Sequence, residues 1–131
     1  MTGVFTLLIL FQIKHWLCDY PLQTPFMLQK FQRTKWIVPL ACHAWTHALF
    51  TMTILSVFLL ETQPLFEYTK LVLWLGALDF TIHFVVDRVK AHPDLGGRYK
   101  MDDKRFWWSL GADQMLHHFT HYLIIGVVLF T

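Results

Sequence analysis

The chain is short of charge: only 15% of its 131 residues are Asp, Glu, Lys or Arg, against roughly 25% in soluble domains. It has two cysteines, Cys18 and Cys42, too few for a disulfide framework. With a net charge of +2 and no basic tract, the electrostatic footprint of a nucleic-acid binder is missing. No low-complexity stretch or solenoid-type repeat divides the sequence, and the length reads as one domain. The first eleven residues lack the basic n-region and small-residue cleavage site of a signal peptide. The expectation is therefore that they begin a mature membrane helix.

What is abundant is apolar and aromatic surface. The sequence is 55% hydrophobic and 17% aromatic, with twelve Phe and six Trp. That is more than one small core can bury, so a lipid-contacting exterior is expected. The expected fold class is all-α, an integral membrane bundle of four transmembrane helices in one domain, residues 1–131. The predicted spans are residues 3–20, 36–60, 68–90 and 106–130. Pro21 ends the first span, and Pro39 lies in the first turn of the second, where proline is tolerated. Between them, residues 21–35 mix Phe26, Met27, Leu28 and Phe31 with Gln29, Lys30, Gln32 and Arg33. That pattern suits a short helix lying in the headgroup region. A polar link at 61–67 contains Pro64, and a loop at 91–105 contains Pro93, Gly96 and Gly97.

Basic residues set the expected orientation. Lys30, Arg33 and Lys35 lie in the first loop, and Arg88, Lys90, Arg98, Lys100, Lys104 and Arg105 lie in or beside the third. The positive-inside rule then puts loops 21–35 and 91–105 in the cytoplasm and both termini on the outer side.

The spans are not uniformly apolar. Asp79, His83 and Asp87 recur four residues apart, which places them on one helix face. Pairs with the same spacing occur in every span: His15/Asp19, His43/His47, His83/Asp87 and Asp113/His117. Counted from the cytoplasmic ends, they fall in one slab of the inner half of the bilayer, roughly 5–17 Å deep for the last three helices. A central Asp facing lipid costs about 2.5–3.5 kcal/mol, so several together must face the bundle interior. With too few Lys or Arg in the spans to pair them, such an interior calls for a cation. Imidazole with carboxylate suits a divalent ion, zinc first, with iron or manganese as alternatives. Eight ligands, His15, Asp19, His43, His47, His83, Asp87, Asp113 and His117, suffice for one or two ions.

The competing reading is helix–helix hydrogen bonding with no ion. Asp79 and His121 extend two of the stripes by a turn, as ligand-supporting groups or as packing. His118 points to another side from His117, and His92 falls in a solvated loop. Cys18 and Cys42 read as small packing residues. Lys14 either snorkels or pairs with a site carboxylate.

Four motifs carry a resemblance: His15-x-x-x-Asp19-Tyr20-x-Leu22-Gln23, His43-x-x-x-His47-Ala48-Leu49, His83-x-x-x-Asp87-x-x-Lys90 and Asp113-Gln114-x-x-His117. In that order they resemble a domain-of-unknown-function family of small bacterial and phage membrane proteins. The resemblance spans nearly the whole chain and implies the bacterial cytoplasmic membrane, in a host or phage-encoded protein. More distantly, His43-x-x-Thr46-His47 and His83-x-x-x-Asp87 are similar to motifs of the LexA-regulated, membrane-bound metal-dependent hydrolases. Where that pattern has Arg and Ser after its two histidines, this chain has Ala44 and Ala48. The second resemblance implies metal dependence and hydrolysis.

The leading expectation is a membrane metalloprotein that hydrolyses an ester or phosphoester of a lipid-like substrate. Asp19 or Asp113 would accept the proton of the attacking water. Arg88, Lys90 and Arg33 would meet a phosphate headgroup. Gln23 and Gln114 would orient ligands or substrate. Two rivals come from other classes. One is a component that moves protons or divalent cations along the His/Asp ladder. The other is a metal-stabilised membrane or phage interaction protein without turnover. The outer halves of the spans are nearly free of polar residues, which favours a dead-end site over a pathway.

Overall fold

The structure is a computed structural model that describes residues 2–60 and 64–131. Among the described residues it is all-α, with no strand. Four long helices run in chain order: α1 Thr2–Asp19, α2 Ile37–Leu59, α3 Leu65–Ala91 and α4 Lys104–Phe130. Short 3-10 turns at Met27–Phe31 and Gly96–Arg98 punctuate the two long loops. Of the predicted link at 61–67, Glu61, Thr62 and Gln63 lie outside the described residues.

Local chemistry explains where the helices start and stop. Pro21 lies just past the end of α1, since its ring clashes with the preceding turn. Pro64 caps the start of α3, so this helix begins earlier than its hydropathy suggests. The Asp103 carboxylate accepts a hydrogen bond from the Arg105 backbone N–H at 2.9 Å. That cap starts α4 at Lys104, two residues before the predicted boundary. Arg88 and Lys90 occupy the last turn of α3, where cations complement the helix dipole.

The helices form a ring: α2 packs against α3, α3 against α4, and α1 lies between α2 and α4. The interior has two parts. Toward the chain termini it is dry, built from Leu7, Phe11, Leu55, Leu59, Val72, Leu75, Ile124, Ile125 and Val128. Toward the two long loops it is filled by buried Lys, His and Asp. At Gly76 α3 packs tightly on α2, and an added methyl there would collide with the Met52 side chain.

The exterior is apolar on every helix: Ile9, Ile13 and Trp16, then Trp45 and Val57, then Leu73, Trp74 and Val85, then Leu116, Phe119 and Leu123 are exposed. Two stretches are long and apolar enough to cross a membrane, α2 (Ile37–Leu59) and Phe66–Arg98, which contains nearly all of α3. In α1 and α4 the inward-facing Lys, His and Asp dilute the apolar content.

Candidate metal centre

At its deepest, the buried cluster is built around Asp79. Its Oδ2 accepts from Lys14 Nζ at 2.7 Å and from Thr51 Oγ1 at 2.9 Å. His83 Nδ1 lies 3.0 Å from the Asp79 backbone oxygen and 3.2 Å from its Oδ1. Both neighbours are acceptors, so Nδ1 carries the proton and leaves the Nε2 lone pair free. That Nε2 is buried and has no hydrogen-bond partner among the described residues. The Lys14 ammonium also lies 3.5 Å from His121 Nε2. A fixed cation therefore already occupies the group formed by Asp79, His83 and His121.

Above this layer stand stacked imidazoles. His83 lies between His47, at 3.9 Å and 29°, and His117, at 4.1 Å and 11°. An imidazole binds a metal in its ring plane, so the nearly parallel His83 and His117 cannot serve the same ion. His15 lies edge-on to the stack, 5.5 Å from His47 and 5.3 Å from His117.

Nearest the loops, two triads have the dimensions of an ion site. In one, Asp19 Oδ1 is 3.1 Å from His47 Nε2 and 3.4 Å from His43 Nε2. In the other, His117 Nε2 is 3.3 Å from Asp87 Oδ1 and 3.4 Å from Asp113 Oδ1. Donors around a tetrahedral ion with bonds of about 2.0–2.1 Å lie about 3.3 Å apart. Charge-assisted N–H···O bonds are shorter, at about 2.7–2.9 Å. Asp113 Oδ1 is buried without a hydrogen bond. His43 Nε2 lies 2.9 Å from Asp87 Oδ2 yet is not aligned to hydrogen-bond with it. The donor set and its spacing fit a divalent ion in each triad.

The carboxylates are not as short of lysine partners as the sequence suggests, which corrects that expectation. Lys14 holds Asp79, Lys30 Nζ donates to Asp87 Oδ2 at 3.0 Å, and Lys90 Nζ donates to Asp113 Oδ2 at 2.7 Å. Only Asp19 has no lysine. Its Oδ2 meets His15 Nε2 at 3.3 Å and Gln114 Nε2 at 3.4 Å, and its backbone oxygen accepts from Gln23 Nε2 at 2.8 Å. Gln114 bridges further, to Asp113 Oδ2 at 3.0 Å and to His15 Nε2 at 3.0 Å. In the second triad the lysines sit on Oδ2 of each carboxylate and leave both Oδ1 atoms to His117.

All eight predicted ligands lie in the cluster, together with Asp79 and His121. Lys90 donates to Asp113 Oδ2 and lines the cavity on the loop side. Arg88 stacks over the Trp36 ring at 3.8 Å and donates to the Lys30 backbone oxygen at 3.2 Å, which braces the loop that carries Lys30. Arg33 forms a bidentate pair with Asp94 across the two long loops, at 2.7 and 2.8 Å. The Arg33 hydrogen bonds hold the Asp94 carboxyl below the usual carboxylate range. His118 turns away to Gln12, and neither cysteine joins a ligand group among the described residues. Lys30 and Thr51 are the residues that sequence reasoning missed. Thr51 continues the His43/His47 stripe by one turn and could have been found, whereas Lys30 reaches in from a loop.

A cavity of about 480 Å³ opens beside the triads on the loop side, with Asp19, Gln23, Lys30, Asp87, Lys90 and Gln114 among its lining. Ala44 and Ala48, which stand where the hydrolase pattern has Arg and Ser, are fully buried.

Among curated proteins and among solved structures, nothing matches the chain. A family match runs over residues 7–131 and takes in all four paired motifs, and by it the chain belongs to the family described as Protein of unknown function (DUF3307).

Proposed function

We propose that the chain is an integral membrane metalloprotein that hydrolyses a phosphoester or ester of a lipid-like substrate at a site near the cytoplasmic leaflet. The observation that carries this reading is the second triad. His117 Nε2 lies at ion-site distances from two carboxylate oxygens, one of them buried and unbonded, beside a cavity. Zinc suits this nitrogen and oxygen set first, then iron or manganese. Such an ion supplies Lewis acidity and activates water as a nucleophile near neutral pH.

The protein's own groups then divide the work. Asp19 lines the cavity, has no lysine partner among the described residues, and has its Oδ2 met by Gln114 while Gln23 holds its backbone oxygen, so it accepts the proton of the attacking water. Asp113 is held by Lys90 on Oδ2 but keeps Oδ1 unbonded, so it is the alternative acceptor. His83 and Lys14 fix the deep end of the site through Asp79.

The membrane reading rests on the apolar exterior of all four helices and on the two stretches long enough to span. Only 39% and 28% of those stretches are buried inside the protein, unlike the core helix of a soluble fold. Loops one and three, residues 21–35 and 91–105, carry most of the basic residues and would face the cytoplasm, with both termini outside. The dry half beyond Asp79 supports a dead-end site over an ion pathway.

The test is metal content of the full chain purified in mild detergent, followed by a substrate screen. Bound metal near one or two equivalents, with thermal stability lowered by chelators, supports the reading. A metal-free preparation whose stability ignores chelators overturns it. A metal-loaded protein inert on every ester and phosphoester would keep the metal but remove hydrolysis.

A further inference from the structure

The cavity beside the triads has lysine on two sides. Lys30 is 5% exposed, and its ammonium donates to Asp87. Lys90 lines the same cavity and donates to Asp113. An ammonium has three donors. Each of these makes one side-chain hydrogen bond among the described residues, so two donors per lysine are left for a ligand.

Charge counting indicates what that ligand is. Asp19, Asp87 and Asp113 together with Lys30 and Lys90 sum to −1. A divalent ion in each of the two triads leaves this group at +3. In a low-dielectric interior an uncompensated charge of that size is strongly unfavourable. A phosphomonoester carries about −1.5 to −2 near neutral pH, whereas a diester carries a single charge.

We propose that Lys30 and Lys90 form the anion-binding wall of this cavity, and that its ligand is a phosphomonoester bound together with ions at the two triads, Asp19/His43/His47 and Asp87/Asp113/His117. The inference rests on the metal reading above and narrows its substrate class. The Gln23 and Gln114 amides lie on the same lining, within reach of a phosphoryl oxygen. Apolar and aromatic walls from Phe31, Tyr99 and Phe106 leave room for the body of an amphiphile.

Metal and anion must then tighten each other's binding, because linkage is reciprocal. The experiment titrates manganese into the full chain, with binding read from the free-ion paramagnetic resonance signal, in the absence and presence of inorganic phosphate. The expected result is tightening of about tenfold or more, within the usual range of coupled sites. The paired substitution of Lys30→Gln with Lys90→Gln should abolish the coupling while manganese affinity without phosphate holds or rises, since two positive charges have gone. Manganese binding that phosphate leaves unchanged in the wild type overturns the inference alone, and needs no variant. No manganese binding under either condition removes the metal reading and this inference with it.

Nanodiscs then separate the sources. Tightening by phosphatidic acid assigns a lipid phosphomonoester, and tightening by free phosphate alone assigns a soluble one. Equal tightening by phosphatidylglycerol, a diester, overturns the monoester assignment.

Discussion

Toward the chain termini, the four helices bury Leu7, Phe11, Leu55, Leu75, Ile124 and their neighbours, an interior that would suit any apolar bundle. Toward loops one and three, the same helices bury Lys14, His15, His43, His83, Asp87, Asp113 and His117. The outer faces differ far less between the two halves: Ile9, Val57, Leu73 and Leu123 are exposed, and so are Trp16, Trp45, Val85 and Leu116. The exterior therefore says what surrounds the protein, and the interior says where its chemistry is. The dry half can be repacked by size alone, whereas the polar half is held by charge pairing that fails when one partner is removed.

That contrast can be broken at several points, and the largest effect is expected at the deep ion pair. Lys14→Met leaves the fully buried Asp79 carboxylate without its ammonium, a change worth about 3–5 kcal/mol of destabilisation. Adding Asp79→Asn should recover much of that loss, because the residual charge is removed too. Thermal unfolding in detergent reads both, and equal stability of the single and double variants would refute a charge-based account.

In the dry half, Leu75→Ala should cost about 2–5 kcal/mol by opening a cavity. Metal content should not change, because Leu75 belongs to the apolar cluster alone. A loss of metal in this variant would mean that the two halves are one cooperative unit.

Adjacent histidines sharpen the comparison within a single turn. His117→Ala should lower metal affinity by more than the roughly 10–100-fold typical of residues that only support a ligand. His118→Ala, which loses a hydrogen bond with Gln12 and outer ring contacts with His15, His121 and Tyr122, should leave both affinity and stability within about 0.5 kcal/mol. Similar losses in the two variants would move the site off the described triad.

The smallest effect lies outside the bundle. Arg33 holds the Asp94 carboxyl below its ordinary value, so the folded protein takes up this proton only at lower pH than the unfolded chain. The clasp's contribution is present above the ordinary carboxylate range and fades as pH falls through the lowered value. Between pH 8 and 5, roughly, hydrogen exchange in loops one and three should not change on account of this pair, and Asp94→Asn should match the acidified protein.

Much of this was legible in the sequence. The repeated four-residue spacing put His15 with Asp19 and His43 with His47 on single faces, and the charge deficit turned those faces inward. Helix boundaries were legible to within a few residues. They moved at α3 and α4 because Pro64 and Asp103 act as caps ahead of the hydropathy signal. Pairing between elements was not legible. Lys14 meets Asp79 across 65 positions of sequence, and Lys30 meets Asp87 across 57. Helical periodicity says which residues share a face but not which faces meet. It says still less about where a loop returns, so Lys30 reads only as a marker of orientation, and Lys14 as snorkelling or pairing with an unspecified site carboxylate.

The Lys14–Asp79 pair has a consequence for how such a protein is made. In a bilayer, α1 entering alone would carry an ammonium into hydrocarbon, and α3 alone would carry a carboxylate. Each is expensive until the two meet. The α2–α3 hairpin holds the two stretches apolar enough to insert by themselves, and Thr51 on α2 already donates to Asp79, so the hairpin can enter first with its acid partly satisfied. Docking of α1 then completes the pair. On the membrane reading proposed above, synthesis delivers α1 first, so this helix would wait, shallow or chaperoned, for a partner not yet translated.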